Sequence, residues 1–217
     1  MVAARLDKEA VREVYTGLAP WYDTWANLTE VRPRKRAIEL AAVRDGERVL
    51  EVAVGTGLAM EELARANPSG QTTGLDLTPG MLAQARRRMA SLPEGSWSLL
   101  EGDATALPFA DASFDLVLNN YMFDLLAEAE FAPVLAEMHR VLRPGGRLVL
   151  VNMTTGDRWW LRAYESIYRW SPRLMGGCRG VTMSGYVEAA CFTSVQREVL
   201  SQGGFPSEVI HARREHP

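Results

Sequence analysis

The chain has 217 residues, 47% hydrophobic and 24% charged: long enough for one well-buried α/β domain, too short for two of ordinary size, and too apolar for extensive disorder. A formal net charge of −3 supplies no field that gathers nucleic acid, so a polyanion partner would need a local basic patch. No apolar run approaches the ~18 residues that cross a bilayer, the N-terminal MVAARLDKEA lacks the apolar stretch of a secretion signal, and Cys178 and Cys191 form neither a C-x-x-C pair nor part of a Cys/His cluster, which predicts a cytoplasmic protein without a metal site.

Ala10, Val11, Val14, Tyr15 and Leu18 recur at helical spacing over residues 7–18, and a second helical stretch runs from about Arg34 to Val43. A strand is predicted at Val49–Ala53, then a glycine turn, a helix ending near Asn67-Pro68, and a strand from Thr72 to Asp76. The alternation continues with a helix at 79–90, strands at 97–101 and 114–118, and a helix at 128–142 that Arg143-Pro144-Gly145-Gly146 stops. A buried strand follows from Arg147 to Met153. Strands alternating with helices predict a doubly wound, mostly parallel Rossmann-like α/β sheet. Thereafter come an aromatic, arginine-rich segment, a glycine-rich loop at 175–180, a last helix at 193–202 and a run at 207–212. The expected organisation is one domain: a helical cap (1–46), a cofactor-binding core (47–153), a cap insertion (154–192), and a last helix and strand (193–217), with either a six-stranded sheet or a final strand missing.

Glu51-Val52-Ala53-Val54-Gly55-Thr56-Gly57-Leu58 sits at a strand-to-helix turn, where glycines admit a ligand to the backbone and a helix start offers unpaired N–H groups. Asp76 ends the next strand, from which a carboxylate can accept both hydroxyls of a ribose. Two details favour S-adenosylmethionine over NAD. Met60 stands where a dinucleotide fingerprint wants a small residue. Glu51 would repel a pyrophosphate but favours ammonium and sulfonium groups.

VLEVAVGTGL, GLDLTPGMLAQAR, EGDATALPFADASFDLVL and HRVLRPGG resemble the successive motifs of class I S-adenosylmethionine-dependent methyltransferases over about residues 10–210. With YTGLAPWYD near the start, the chain most resembles the ubiquinone/menaquinone C-methyltransferases and phospholipid N-methyltransferases. The resemblance implies S-adenosylmethionine as cofactor, S-adenosylhomocysteine as product, and the following contacts. Gly55, Thr56 and Gly57 pass beneath the methionine part with Glu51 nearby, Asp76 holds the ribose, Leu77 and Met81 flank the adenine, and Asp103 and Ala104 read its amino edge. Asn119 and Asn120 lie beside the methionine end, and Tyr15 and Tyr22 close over the cofactor. The chain departs from the family at Ala53, where E-x-G-x-G-x-G has its first glycine.

The methyl group arrives on a good leaving group, so positioning can supply much of the rate enhancement. A phenol or enolisable acceptor also needs a base, for which Tyr22, Asp23, Tyr121, Asp124 and Tyr168 are candidates; Asp124 could instead cap a helical turn. His139 is assigned a structural role, because its helix places it far from the strand ends. Trp21, Trp25, Trp159, Trp160 and Trp170 fall in the two cap segments, which suggests a small, hydrophobic acceptor such as a quinone precursor, an aromatic natural product or a lipid amine. Residues 157–173 read as a basic amphipathic helix that could rest on an anionic membrane, or as a solvated face over a buried one. No nucleic-acid module is expected. The competing functions are a cofactor-binding regulatory protein without turnover and an NAD-dependent oxidoreductase; oligomeric state is not readable.

Overall fold

The structure is a computed structural model and describes residues 8–154 and 178–215. Among the described residues, seven strands form one sheet in the order β3-β2-β1-β4-β5-β7-β6. Strands β1 (Arg48–Val52), β2 (Gln71–Asp76), β3 (Trp97–Glu101), β4 (Phe114–Asn120) and β5 (Leu142–Met153) run parallel. β7 (Phe205–Arg214) lies antiparallel to β5, with β6 (Phe192–Gln202) antiparallel beyond it.

Period-two alternation sorts each central strand onto two helix layers. Leu50, Val52, Val117, Leu148 and Leu150 face one layer, where Phe131, Val134, Leu135 and Met138 of α6 (Phe131–Val141) complete the core. Val49, Leu116, Leu118, Val149 and Val151 face the other, against Ala37 and Ala41 of α3 (Val31–Ala41) and Ala59 and Leu63 of α4 (Leu58–Ala66). Both faces of the central strands are therefore buried, which is why they read as continuous apolar runs. α5 (Pro79–Met89) and α4 cover the β2–β3 end through Met60, Leu82 and Met89. Met60 meets Gly74 of β2, where any Cβ would come within 2.8 Å of its sulfur. The bulky residue in the glycine turn's helix is thus accommodated by a strand without a side chain.

Three expectations are corrected. The predicted helix at 193–202 is strand β6, so among the described residues the sheet has seven strands, not six. Residues 143–146 do not precede β5 but bulge within it, the register passing from Phe114↔Leu142 to Leu116↔Arg147. α3 belongs to the sheet, packing on β5, β6 and β7, so the N-terminal cap is only α1 (Lys8–Leu18) and α2 (Tyr22–Thr29). A short α7 (Ser184–Ala189), packed on α6 and β6, follows the segment 178–183. Among the described residues no helix is long and apolar enough to cross a membrane, and no His/Cys/Asp/Glu cluster could hold a metal ion. The basic segment 157–173, with Tyr168, Trp159, Trp160 and Trp170, lies outside the described residues.

Candidate active site

The sheet reverses its winding between β1 and β4, and a crevice opens at the carboxyl ends of the strands there. It is a cavity of about 620 Å³ walled by the ends of β1, β2 and β4, the start of α5, the loop after β3 and the cap helices. Tyr15, Tyr22, Ala53, Gly55, Asp76, Leu77, Met81, Asp103, Ala104, Asn120 and Tyr121 all line it. Gly55 has φ +56°, and a Cβ there would enter open space, so its bare backbone forms a cradle. Ala53 takes a left-handed conformation that favours glycine, at φ +55°, a strain of ~1–2 kcal/mol that its neighbours must offset.

Asp76, almost fully buried, accepts the Gly55 N–H at Oδ2 and the Thr78 N–H at Oδ1, each at 2.8 Å. Burial raises its proton affinity and those N–H groups oppose the rise. Further hydrogen bonds can still reach the carboxylate, which has about four lone-pair sites. Asp103 at the far end accepts Thr105 at Oδ1 and the Lys8 ammonium at Oδ2, at 2.6 Å. Burial works against its ionisation, but these partners outweigh it and hold the carboxyl below its ordinary range. Lys8 also reaches Glu130 at 3.1 Å and thereby ties α1 across the cavity mouth.

Glu51 lies behind the wall, not in it. Its Oε1 accepts Asn120 Nδ2 at 3.1 Å, and its Oε2 is buried with no partner. Burial, only partly opposed by Asn120 and Arg34, pushes its carboxyl up to about 8. A buried carboxylate oxygen without a donor is costly, and a cation beyond Asn120 would relieve it.

Several expected contacts point elsewhere. Asn119 faces the sheet interior and donates to the Val52 carbonyl at 2.7 Å, stitching β4 to β1. Gly57, φ +81°, is needed for packing: a Cβ would sit 3.2 Å from that of Ala85 on α5. The Thr56 hydroxyl donates to Asp23 Oδ1 at 2.6 Å, and Arg88 pairs with Asp23 and donates to the Thr56 carbonyl. Asp23 and Thr56 thus clasp α2 to the glycine turn and α5, and Asp23 is no base in the cavity. His139 stacks edge-on against Phe192, 5.1 Å between centroids, far from the strand ends. Trp21 is 74% exposed and does not line this cavity.

Tyr121 separates the large cavity from a second one of about 40 Å³, lined also by Trp25, Glu30, Asp124, Cys178 and Ser207. Its own φ of +54° and a hydrogen bond shared with Ser207 Oγ at 2.8 Å hold the ring there. Asp124 is fully buried. Burial raises its carboxyl to about 7, the Arg179 guanidinium and Cys178 thiol opposing. Glu30, which the sequence reading overlooked, accepts the Tyr22 hydroxyl at 3.3 and 3.4 Å. Burial and Asp124 lift it to about 7, against Arg34 and Tyr22. Nothing local in Asn27-Leu28-Thr29-Glu30 marks it, because its site exists only where the α2–α3 junction meets the end of β4.

A family profile described as a methyltransferase domain matches residues 49–146, the stretch that builds the glycine turn, Asp76, Asp103 and β4. A demethylmenaquinone methyltransferase of Thermus thermophilus is 39% identical over 160 residues, covering 72% of this chain and 70% of the relative. The chain belongs to the S-adenosylmethionine-dependent methyltransferases. A demethylmenaquinone methyltransferase of Listeria monocytogenes is 31% identical, covering 78% of this methyltransferase and 73% of its relative. The fold is shared with Haemonchus contortus phosphoethanolamine N-methyltransferase 2 in complex with phosphomonomethylethanolamine and S-adenosylhomocysteine. That match has a TM-score of 0.77 at 12% identity and covers 98% of this chain and 61% of the other.

Proposed function

We propose that this methyltransferase transfers the methyl group of S-adenosylmethionine to a ring carbon of a demethylmenaquinol-type acceptor. The observation that carries the reading is one continuous cavity of about 620 Å³ whose lining combines the carboxylates Asp76 and Asp103 with an apolar wall of Val11, Met122, Leu125 and Leu126. A polar cofactor and an apolar ring therefore fit side by side. The relatives named as demethylmenaquinone methyltransferases support the acceptor class.

The residues present fit the cofactor, as the open cradle at Gly55 and the unpartnered Glu51 Oε2 indicate. Asp76 would accept the ribose hydroxyls, Leu77 and Met81 flank the adenine, and Asp103 with Ala104 meets its amino edge. Ala53, Gly55 and Asn120 would line the methionine end, with Glu51 supplying negative charge through Asn120. When bound, the cofactor supplies an electrophilic methyl group on a sulfonium leaving group. The protein's part is to hold the acceptor carbon in line and keep water out, which Tyr15, Tyr22 and α1 do as the lid.

The test is turnover with a short-chain demethylmenaquinone kept reduced, followed by mass spectrometry of the quinone and by S-adenosylhomocysteine release. A singly methylated ring and stoichiometric S-adenosylhomocysteine are expected. Turnover of phosphoethanolamine or phosphatidylethanolamine alone would overturn the acceptor class. S-adenosylhomocysteine binding without turnover of either would instead mark a cofactor-binding protein that has lost transfer.

A further inference from the structure

Behind the lid tyrosines is a set of polar groups that cofactor binding does not use. Tyr22 lines the large cavity, while its hydroxyl donates to both oxygens of Glu30, which lines the small cavity instead. Asp124, fully buried, lines that small cavity with it. The Tyr22 hydroxyl therefore bridges the space where an acceptor sits and the Glu30–Asp124 carboxylates.

We propose that Glu30, with Asp124 beside it, is the proton sink of the methyl-transfer reaction, receiving the acceptor's hydroxyl proton through the Tyr22 hydroxyl. The inference rests on the quinol reading above. A quinol becomes a carbon nucleophile as its O–H proton leaves: the acceptor oxygen gives that proton to Tyr22 Oη while Tyr22 gives its own to Glu30. The ring carbon then forms a bond to the methyl carbon as the carbon–sulfur bond breaks, and the electron pair stays on sulfur. The proton on the methylated ring carbon passes to solvent, which restores aromaticity, and the oxygen recovers its proton from Glu30 by the same route. One proton leaves per turnover.

Burial and the negative charge of Glu30 hold the Tyr22 hydroxyl well above its ordinary range, so it serves as a relay and not as a standing tyrosinate. Among the described residues, the groups facing Glu30 are Tyr22 from α2, Asp124 and Tyr121 from the segment after β4, Cys178 from the segment before α7, and Arg34 from α3. Desolvation and Asp124 raise the proton affinity of Glu30 and Arg34 limits the rise, which leaves its carboxyl at about 7. That value suits a base that must take a phenolic proton and return it near neutrality. The pair titrates as a unit, so the activity profile reports Glu30 and Asp124 together.

Glu30 acts through Tyr22 and not on the acceptor, so the test separates proton acceptance from support of the fold. In the wild type, kcat with reduced demethylmenaquinone should fall below about pH 7. Glu30→Gln should lower kcat by about 10²–10⁴-fold and abolish that limb, with KM and S-adenosylhomocysteine affinity retained; Glu30→Asp should recover part of the rate and the limb. Tyr22→Phe should match Glu30→Gln in kcat. A second readout needs no turnover. With S-adenosylhomocysteine present, the absorbance of bound 1-naphthol reports its ionised fraction, which Glu30→Gln should reduce. Removing a negative charge would by electrostatics alone favour the naphtholate, so a fall is the mark of a lost proton acceptor. An unchanged kcat and limb in Glu30→Gln, a loss confined to KM, or an equal or larger naphtholate fraction would overturn the proposal. Failure of the quinol reading looks different, because the wild type itself would be inert toward the quinol. Turnover of amines alone would overturn both, recasting the carboxylate pair as a seat for an ammonium group.

Discussion

Gly55 and Gly57 stand two positions apart in one turn, share left-handed φ values and yet answer to different constraints. Any side chain at Gly55 would project into open space, whereas one at Gly57 would press on Ala85. Gly55→Ala should therefore cost only the ~1–2 kcal/mol of the left-handed backbone but weaken S-adenosylhomocysteine binding at least ~10-fold, a loss of ~1.4 kcal/mol or more. Gly57→Ala should add an overpacking penalty, for a total of about 2–5 kcal/mol, with affinity per folded molecule preserved. Denaturant melts beside calorimetric titration separate the two, and identical behaviour of both variants would refute the assignment. At this scale the sequence marks which residues matter better than it marks what they touch. Asp76 and Asp103 are legible because a strand end and a fixed spacing dictate where they go. Asp23, Thr56 and Asn119 are equally near the motifs but turn away, because each finds a stronger partner in Arg88, Asp23 or the Val52 carbonyl. Glu30 carries no local signal at all.

Strand β6 shows how an element can be misread. Val195, Val199 and Leu200, among Gln, Arg and Glu, suit a helix in spacing and propensity. A register shift between Thr193 and Gln196 disturbs the alternation, and β6 is an edge strand with only β7 as neighbour, so its half-buried face shows weakly in composition. What holds it is tertiary: Glu208 of β7, fully buried, accepts Arg197 Nε at 2.6 Å and the Met183 N–H at 2.8 Å. Arg197→Ala would leave that carboxylate with one donor and should cost about 2–4 kcal/mol. Adding Glu208→Gln should return part of the loss, which a double-mutant cycle by urea unfolding measures; strictly additive losses would count against the pair. α1 is the opposite case, an element read correctly whose attachment is weak. It buries no residue fully and is fastened by Lys8 to Asp103 and Glu130 and by Arg12 to Glu101. Exposed pairs contribute little and are screened by salt, so its amides should exchange faster as ionic strength rises, while those of β1, β4 and β5 stay protected. Hydrogen exchange at two salt concentrations tests this, and a salt-independent α1 would contradict it.

Across the whole molecule, the buried acids of the site set the pH response. Folded Glu51, Glu30 and Asp124 hold their protons to about 8, 7 and 7, above the ordinary values of 4.5, 4.5 and 3.8. The folded state thus binds more protons than the unfolded chain between those limits, and these groups lower stability as pH rises through that window. His139 and His211, whose folded proton affinity burial depresses, act the other way only up to the ordinary histidine value of 6.5. The melting temperature of the ligand-free protein should accordingly fall between about pH 6.5 and 8.5, and the fall should flatten in Glu51→Gln. Because a sulfonium favours ionised Glu51, affinity for S-adenosylmethionine should rise over that range relative to the uncharged thioether S-adenosylhomocysteine; parallel pH profiles for the two ligands would remove Glu51 from the cation's site. By itself the sequence determined the alternation of strands and helices, the glycine turn, and the acids at the ends of β2 and β3. Each follows from local periodicity or from chain geometry over a few tens of residues. Tertiary structure alone decided the seventh strand, the place of α3 on the sheet, and the meeting of Tyr22, Glu30 and Asp124 between the cap and the end of β4. Those depend on contacts between segments far apart in the chain, and the burial that raises the carboxyls exists only once those segments have packed.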